Sequence, residues 1–146
     1  MGQGIPQTSG SIQLVRTVQL SDAAAIAELE IELFPGNCFN ERTLLIELER
    51  GSGTVVMAKG ELVGYALIRW DWELVDIIRI GVKPSHRGKG IATRMLAEIL
   101  GNSHLDCLLC VDKANILALR LYKSHGFEIV AETGNSWVMV MRRVTF

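Results

Sequence analysis

The sequence carries almost no net charge and holds no long apolar run. Fifteen lysines and arginines stand against sixteen aspartates and glutamates, so the net charge is −1. Nucleic acids and anionic membranes attract proteins through a strongly basic face, which this balance does not imply. No apolar run approaches the ~20 residues of a membrane-spanning helix, and the first residues lack the basic and apolar regions of a signal peptide. We therefore expect a cytoplasmic protein whose partners include neither nucleic acid nor membrane.

Cysteine is scarce, with three residues in the chain. Cys107 and Cys110 have the two-residue spacing of a metal or redox pair, but they fall within residues 105–111, a stretch typical of a buried strand. Positions i and i+3 of a strand face opposite sides, and a zinc site would need a second pair of ligands. We expect reduced, partly buried thiols and no metal site.

A length of 146 residues suits one domain and is too short for two of ordinary size. Residues 1–11, rich in Gly, Ser, Gln and Pro, are expected to be a mobile tail, and residues 12–146 a single domain. Apolar periodicity predicts the order β-α-α-β-β-β-α-β-α-β-β. The predicted strands are 12–18, 54–58, 62–68, 74–82, 105–111, 127–131 and 137–141, and the predicted helices are 23–33 (capped by Ser21 or Asp22), 41–50, one from Ile91, and 114–124.

A glycine-rich turn joins a predicted strand to a predicted helix within residues 82–93. The strand ends at Val82 and the helix starts near Ile91, with Gly88 and Gly90 between them. The first turn of a helix has unpaired N–H groups and a partial positive charge. Glycine also lets a phosphate approach the backbone without a Cβ in the way. The arrangement predicts a site for an anionic group.

Two widespread phosphate motifs do not fit this turn. The dinucleotide fingerprint needs a third glycine where Thr93 stands, and the phosphate loop of nucleotide hydrolases needs Gly-Lys-Ser/Thr, whereas Gly90 follows Lys89. Arg87, Gly90 and Ala92 instead satisfy the pattern Arg/Gln-x-x-Gly-x-Gly/Ala. This pattern resembles the acetyl-CoA signature of the GNAT superfamily of N-acetyltransferases.

A second segment, residues 115–127, resembles the same family. It fits the pattern Asn-x-x-Ala-x-x-x-Tyr-x-x-x-Gly-Phe with Asn115, Ala118, Tyr122, Gly126 and Phe127. Gly126 suits the left-handed position that closes a helix. Since two ordered motifs coincide by accident far less often than one, the chain is identified as a member of the GNAT superfamily. The resemblance covers residues 12–142 and is strongest over 76–127.

The resemblance implies an α/β (α+β) fold with a central, mixed, mostly antiparallel twisted sheet of six to seven strands, flanked by about four helices. It also implies acetyl-CoA as the acyl donor and an amine as the acceptor. In the family, backbone amides of the turn hold the cofactor's pyrophosphate, and the preceding strand pairs with the pantetheine arm like an added strand. The corresponding cofactor-binding residues are Ile80, Gly81, Val82, Arg87, Gly88, Lys89, Gly90, Ile91, Ala92, Thr93 and Asn115.

Tyr122 is the catalytic acid that the resemblance implies, because the family places this hydroxyl near the cofactor's sulfur. A phenol with a pKa near ~10 can protonate a departing thiolate. The alternative is a tyrosine that only buries its ring between helix and sheet. Asn115 is expected either to hydrogen-bond the pantetheine or to cap its helix.

The general base is where the sequence departs from related branches of the family. The branch that acetylates ribosomal-protein N-termini has a glutamate where Cys110 stands, and the histone-acetyltransferase branch has one at the position of Asp76. Burial in an apolar strand would raise the pKa of Asp76 and suit it to base catalysis near neutral pH. The alternatives are a carboxylate that faces water or pairs with Arg79 or Lys83, and a base supplied by Glu73 or a water relay.

Three features of the sequence bear on where and how the acceptor binds. Residues 34–39 resemble the helix-joining loop that borders the acceptor groove in the N-terminal-acetylating branch, whereas the connection 132–136 is shorter than that branch's peptide-holding one. Trp70, Trp72 and Trp137 either line the acceptor side or pack partly in the core, and core packing is the preferred interpretation.

Together these features predict an acetyltransferase that acts by direct attack of a primary amine in a ternary complex. Cys110 has no histidine placed to activate it, so a covalent acyl-enzyme has no support. A small amine is preferred over a protein N-terminus as the acceptor. A non-catalytic acetyl-CoA-binding module is the alternative, and the sequence fits either a monomer or a homodimer.

Overall fold

A seven-stranded sheet lies between two pairs of helices in the computed structural model, which describes residues 13–143. The predicted tail, residues 1–11, lies outside the described residues. The strands are β1 (Leu14–Thr17), β2 (Ser52–Ala58), β3 (Glu61–Trp70), β4 (Leu74–Val82), β5 (Asp106–Asp112), β6 (Glu128–Thr133) and β7 (Ser136–Met141). The helices are α1 (Ala23–Leu33), α2 (Glu41–Arg50), α3 (Ile91–Gly101) and α4 (Ile116–Ser124).

The sheet order is β1-β2-β3-β4-β5-β7-β6, and every neighbouring pair is antiparallel except β4 and β5. The strand and helix order agrees with the order that apolar periodicity predicts. The mixed, mostly antiparallel sheet and its helices confirm the predicted fold class. Within residues 13–143, no helix is both long and apolar enough to cross a membrane.

Each face of the sheet buries its own cluster of apolar side chains. On one face, α1 and α2 pack Ile26 and Leu44 against Tyr65 of β3. On the other face, α3 packs Met95 against the sheet, and Tyr122 of α4 joins the same cluster. Side chains alternate between the faces along a strand, and the sheet is therefore covered on both sides.

The two central strands separate at their carboxyl ends. β4 pairs with β5 only from Leu74 to Ile77, opposite Asp106 to Leu109. Beyond that point β4 continues to Val82 alongside β3, and β5 continues alongside β7. A parallel pair that diverges in this way opens a crevice at its carboxyl ends, where open sheets commonly bind ligands.

Three expectations about individual residues need correction or refinement. Trp70 and Trp72 are 53% and 90% exposed, so core packing is wrong for them. They lie at the β3–β4 turn, where the Asp71 carboxylate accepts the N–H groups of Glu73 and Leu74 and Trp72 is left at the outside of the turn. Asp22 does not cap α1 with its side chain, because its carboxylate is bound by Arg16 and by the Gln19 N–H.

The two cysteines of β5 lie on opposite faces of the strand, as the strand argument predicts, but the expected partial burial is wrong for Cys110. Cys107 is buried and Cys110 is exposed, on opposite faces of β5, and both are free thiols. Burial raises the pKa of the Cys107 thiol to about 12, so this thiol stays protonated and unreactive.

Candidate active site

A cleft of about 430 Å³ opens where β4 and β5 separate. Its walls are the end of β4, the turn before α3, the first two turns of α4 and the end of α1 with the residue that follows. The predicted cofactor-binding residues that line it are Ile80, Gly81, Val82, Arg87, Gly88, Gly90, Ile91, Ala92, Thr93 and Asn115. Lys89 is exposed and does not line it.

The turn before α3 holds two glycines in a left-handed conformation. Gly88 has φ +77° and Gly90 has φ +78°, and a Cβ built on either would meet no other atom within 4 Å. Gly90 precedes the first residue of α3, and the first three residues of that helix line the cleft. Open space, free N–H groups and the helix dipole together suit an anionic group such as a pyrophosphate.

The free edge of β4 provides the second wall of the cleft. Ile80, Gly81 and Val82 line it, and the pairing of β4 with β5 has ended before them. Gly81 has no room for a side chain, because a Cβ there would lie 2.7 Å from the Tyr65 hydroxyl and 2.8 Å from Leu33 Cδ1. An extended pantetheine arm can pair with this edge as an added strand does.

Tyr122 projects from α4 into the cleft, and the end of the helix fixes its position. The Phe127 N–H donates to the Tyr122 carbonyl and the Gly126 N–H to the Lys123 carbonyl, with Gly126 at φ +92°. These are the two bonds of a Schellman motif. The predicted left-handed role of Gly126 is thereby confirmed.

The Tyr122 hydroxyl is open to the cleft. Among residues 13–143 it has no hydrogen-bond partner, whereas every fully buried side-chain oxygen in that range has one. The Tyr122 oxygen is therefore not fully buried, and the residue lines the cleft. Burial of the ring raises the pKa of Tyr122 to about 12. The phenol is consequently protonated throughout the neutral range and is able to donate a proton.

Asn115 caps α4, since its side-chain oxygen accepts the Ala118 N–H at 3.2 Å. It also lines the cleft. The capping alternative is therefore realised, and the residue remains within reach of a ligand.

Asp76 lies four residues before Ile80 on β4, about 13 Å along the strand, and does not line the cleft. It is half-buried on the sheet face that carries α2, opposite Arg69 of β3. Burial raises the pKa of the Asp76 carboxyl, Arg69 opposes this rise, and Glu47 adds to it. The charge partners considered for Asp76 are wrong, because Arg79 pairs with Glu30 and Lys83 with Glu61.

Glu73, another candidate base, lies in the exposed turn at the start of β4. That turn is at the opposite end of the strand from the cleft, roughly 23 Å from Ile80 along the chain. No group of three or more potential metal ligands clusters within residues 13–143.

Sequence reasoning missed a buried ionic cluster beside the cleft. Glu30 of α1 is fully buried and pairs with Arg79 of β4, and Tyr65 donates its hydroxyl to Glu30. The available signal was a carboxylate four residues after Ile26 on the apolar stripe of α1. Phe34, which also lines the cleft, belongs to the loop predicted to border the acceptor groove. Sequence reasoning missed the other cleft-lining residues: Leu33, His86, Leu117, Ala118 and Leu121.

Comparisons with known proteins place this geometry in context. The family model described as "Acetyltransferase (GNAT) family" matches residues 23–127. The N-alpha-acetyltransferase RimI of Mycobacterium tuberculosis is 37% identical over 123 residues, which cover 75% of each chain.

Two solved structures have similar folds. The paia N-acetyltransferase from Thermoplasma acidophilum, in complex with coenzyme A, superposes with a TM-score of 0.78 and 18% identity over 90% of this chain and 99% of that one. The ribosomal-protein-S18-alanine N-acetyltransferase from Escherichia coli superposes with a TM-score of 0.81 and 16% identity over 92% of this chain and 97% of that one.

Proposed function

The chain belongs to the acetyltransferase (GNAT) family, whose N-acetyltransferases use acetyl-CoA, and from that membership we propose that it acetylates the α-amine of a polypeptide N-terminus. The observation that carries the donor-binding and catalytic part of the proposal is the joint geometry of one cleft. The free edge of β4, the left-handed glycine turn and the Tyr122 hydroxyl all face the same space.

Donor binding is assigned to the backbone of two segments. The N–H groups at the start of α3 hold the pyrophosphate, and Gly88 and Gly90 keep side chains out of its way. The edge from Ile80 to Val82 orients the pantetheine arm toward Tyr122. The bound thioester supplies an activated acetyl group.

Tyr122 acts as the general acid in the proposed mechanism. Transfer forms a bond between the amine nitrogen and the acyl carbon and breaks the bond from that carbon to sulfur. The departing thiolate needs a proton, and the Tyr122 hydroxyl is a protonated group at the cleft that can supply it. Such assistance is typically worth ~10²–10⁴-fold in rate.

Asp76 acts as the general base through water. Its burial raises the pKa of the carboxyl toward the range in which it can accept a proton from an ammonium group. Because it lies about 13 Å along β4 from Ile80 and does not line the cleft, a chain of several waters carries the proton from the amine to the carboxylate. The same face of the sheet carries α1 and α2, so the amine enters from the side of the loop between them.

The relative in M. tuberculosis is named an N-alpha-acetyltransferase, which favours a peptide α-amine over the small amine that the sequence alone favoured. A small amine is the second candidate because the β6–β7 connection is only Gly134 and Asn135, shorter than the peptide-holding connection of the N-terminal-acetylating branch. A cytoplasmic location and the oligomeric state stay predictions.

A test of the proposal follows thiol release from acetyl-CoA with two sets of acceptors. One set holds short peptides with free N-termini, each matched to the same peptide with a blocked N-terminus, and the other holds polyamines and other small amines. Turnover that needs a free peptide N-terminus supports the proposal. Turnover confined to small amines replaces it with the second candidate. Absence of turnover with both sets, alongside acetyl-CoA binding by calorimetry, overturns the catalytic proposal.

A further inference from the structure

The loop between α1 and α2 is attached to the sheet through one buried carboxylate. Glu30 has none of its surface exposed. Its Oε1 accepts the Phe39 N–H at 2.9 Å and Arg79 Nη2 at 3.0 Å, and its Oε2 accepts Arg79 Nε at 3.0 Å and the Tyr65 hydroxyl. The carboxylate is thus saturated by groups from the loop, β4 and β3.

Arg79 extends the attachment along the loop. Its Nη2 donates to the Asn37 carbonyl at 2.8 Å. Its guanidinium lies between two aromatic rings, 4.0 Å from the centroid of Phe34 and 4.3 Å from that of Phe39. A planar, always charged guanidinium can stack and form parallel hydrogen bonds at once, which lysine cannot do.

The attached loop forms part of the cleft wall. Leu33 and Phe34 line the cleft together with the β4 edge. The segment from Phe34 to Phe39 contains no helix or strand that would fix it by backbone pairing alone. Its position therefore depends on the contacts that Glu30 and Arg79 make.

Stability alone does not account for a buried ion pair at this place. Desolvation offsets most of the attraction within such a pair, and well-packed apolar residues often stabilise a core as well or better. What apolar residues cannot provide is directional bonding to the Phe39 N–H and the Asn37 carbonyl. The pair thus fixes where the loop lies, and with it the position of Phe34.

We propose that Glu30 and Arg79 are positioning residues that hold the Phe34–Phe39 loop against β4, so that Phe34 forms the acceptor-side wall of the cleft. The inference rests on the proposed function, since it assigns this wall to the amine that the enzyme acetylates. The wall is apolar, and the side chain beside the reacting amine packs against it. Acceptor recognition then depends on the pair, whereas donor binding, which uses the α3 turn and the β4 edge, does not.

The test compares Arg79→Met with the parent by hydrogen exchange and by steady-state kinetics. Hydrogen exchange of the Phe39 amide should become at least about tenfold faster, because its segment loses the arginine contacts. The KM for the acceptor should rise about tenfold or more, since misplacement of a positioning group by about 1 Å is costly. The KM for acetyl-CoA and kcat at saturating acceptor should stay within about twofold of the parent.

Two further variants keep the test decisive. Glu30→Gln/Arg79→Met replaces both charges and leaves no unpaired buried ion, so it serves where Arg79→Met alone fails to fold. Arg79→Lys keeps the charge without the stacking plane or the parallel bonds, and it should give intermediate acceptor KM values. Arg16→Met is the matched control, because it breaks the two-bonded arginine–carboxylate pair at the other end of α1 without touching the loop.

The outcomes separate this inference from the proposed function. Faster exchange at Phe39 together with a selective rise in the acceptor KM supports it. Unchanged loop exchange, or acceptor and donor KM values that rise equally in a folded variant, overturns it. Absence of transfer by the parent overturns the proposed function instead, and loop exchange still shows whether the pair holds the loop.

Discussion

The ring of Phe127 meets the ring of Tyr122 edge to face, with 5.9 Å between their centroids. The backbone joins the same two residues, since the Phe127 N–H donates to the Tyr122 carbonyl at 3.1 Å. Both contacts belong to the motif that ends α4. A side chain held from two directions has little freedom, and the Tyr122 hydroxyl is consequently presented to the cleft in one position.

Tyr122→Phe should lower kcat by about 10²–10⁴-fold, because the departing thiolate loses its proton donor. The phenyl ring is preserved, so the helix end should persist and acetyl-CoA affinity should stay the same. Steady-state kinetics and calorimetry on one preparation would check both statements. A kcat within twofold of the parent would contradict the acid role and leave Tyr122 as a core residue.

The pH dependence of the parent gives a second check on Tyr122. Burial raises its pKa to about 12, so the phenol stays protonated up to that pH. Between about pH 6 and pH 10, activity should therefore not fall through deprotonation of Tyr122. An ordinary phenol would already begin to ionise near the upper end of this range.

Asp76→Asn should lower the rate most at low pH, where little of the amine is deprotonated without assistance. The raised pKa of Asp76 also has a consequence for stability. A carboxyl whose pKa is higher in the folded state stabilises the fold at low pH, and this contribution is lost as pH rises through the folded pKa. The asparagine variant should accordingly be at least as stable as the parent at neutral pH. A pH–rate profile that matches the parent's would clear Asp76 of the base role.

Much of the donor side of the site could be predicted from the sequence, because it is encoded locally. Two short segments carry it, Arg87–Ala92 and Asn115–Phe127. The spacing of residues within each segment predicts where a helix begins or ends. Most of the residues that these segments contribute to the cofactor prediction do line the cleft. Lys89 is the one residue of that prediction that is exposed and does not line the cleft.

The acceptor side could not be predicted in the same way, because it depends on contacts between distant segments. Glu30 and Arg79 are 49 residues apart, and no periodicity within either element pairs them. The tryptophans show a related failure. Large aromatic residues are usually at least half buried, but the hydrogen bonds of Asp71 place Trp72 at the tip of a turn, where it is 90% exposed.

Asp22→Asn should destabilise the protein at neutral pH by about 1–3 kcal/mol, since the buried carboxylate binds the Arg16 guanidinium with two hydrogen bonds. The hydrogen bond from Arg16 lowers the pKa of the Asp22 carboxyl. A carboxyl whose pKa is lower in the folded state stabilises the fold at pH values above its unfolded-state pKa of about 3.9. This stabilisation is lost as the pH falls through the folded-state pKa. The parent should therefore lose stability in acid, and the asparagine variant should lack that part of the slope.

Urea unfolding of both proteins between pH 7 and pH 3 would measure the difference. Glu61→Gln provides the control, because the ion pair between Glu61 and Lys83 is exposed and its attraction is screened by water. Equal slopes for the parent and Asp22→Asn would show that the Arg16 pair does not stabilise the fold.

Gly90→Val should remove acetyl-CoA affinity while leaving the protein folded. The left-handed backbone at φ +78° costs a residue with a Cβ about 1–2 kcal/mol, and the valine side chain would occupy the open space assigned to the pyrophosphate. Gly60→Val is a closely matched control, because Gly60 has the same φ of +78° and the same open surroundings but lies in the β2–β3 turn. Both variants should lose similar stability in thermal unfolding, yet only Gly90→Val should lose binding in calorimetry. If folded Gly90→Val binds acetyl-CoA as tightly as Gly60→Val does, the turn before α3 does not hold the pyrophosphate, and the donor site must be sought elsewhere along the cleft.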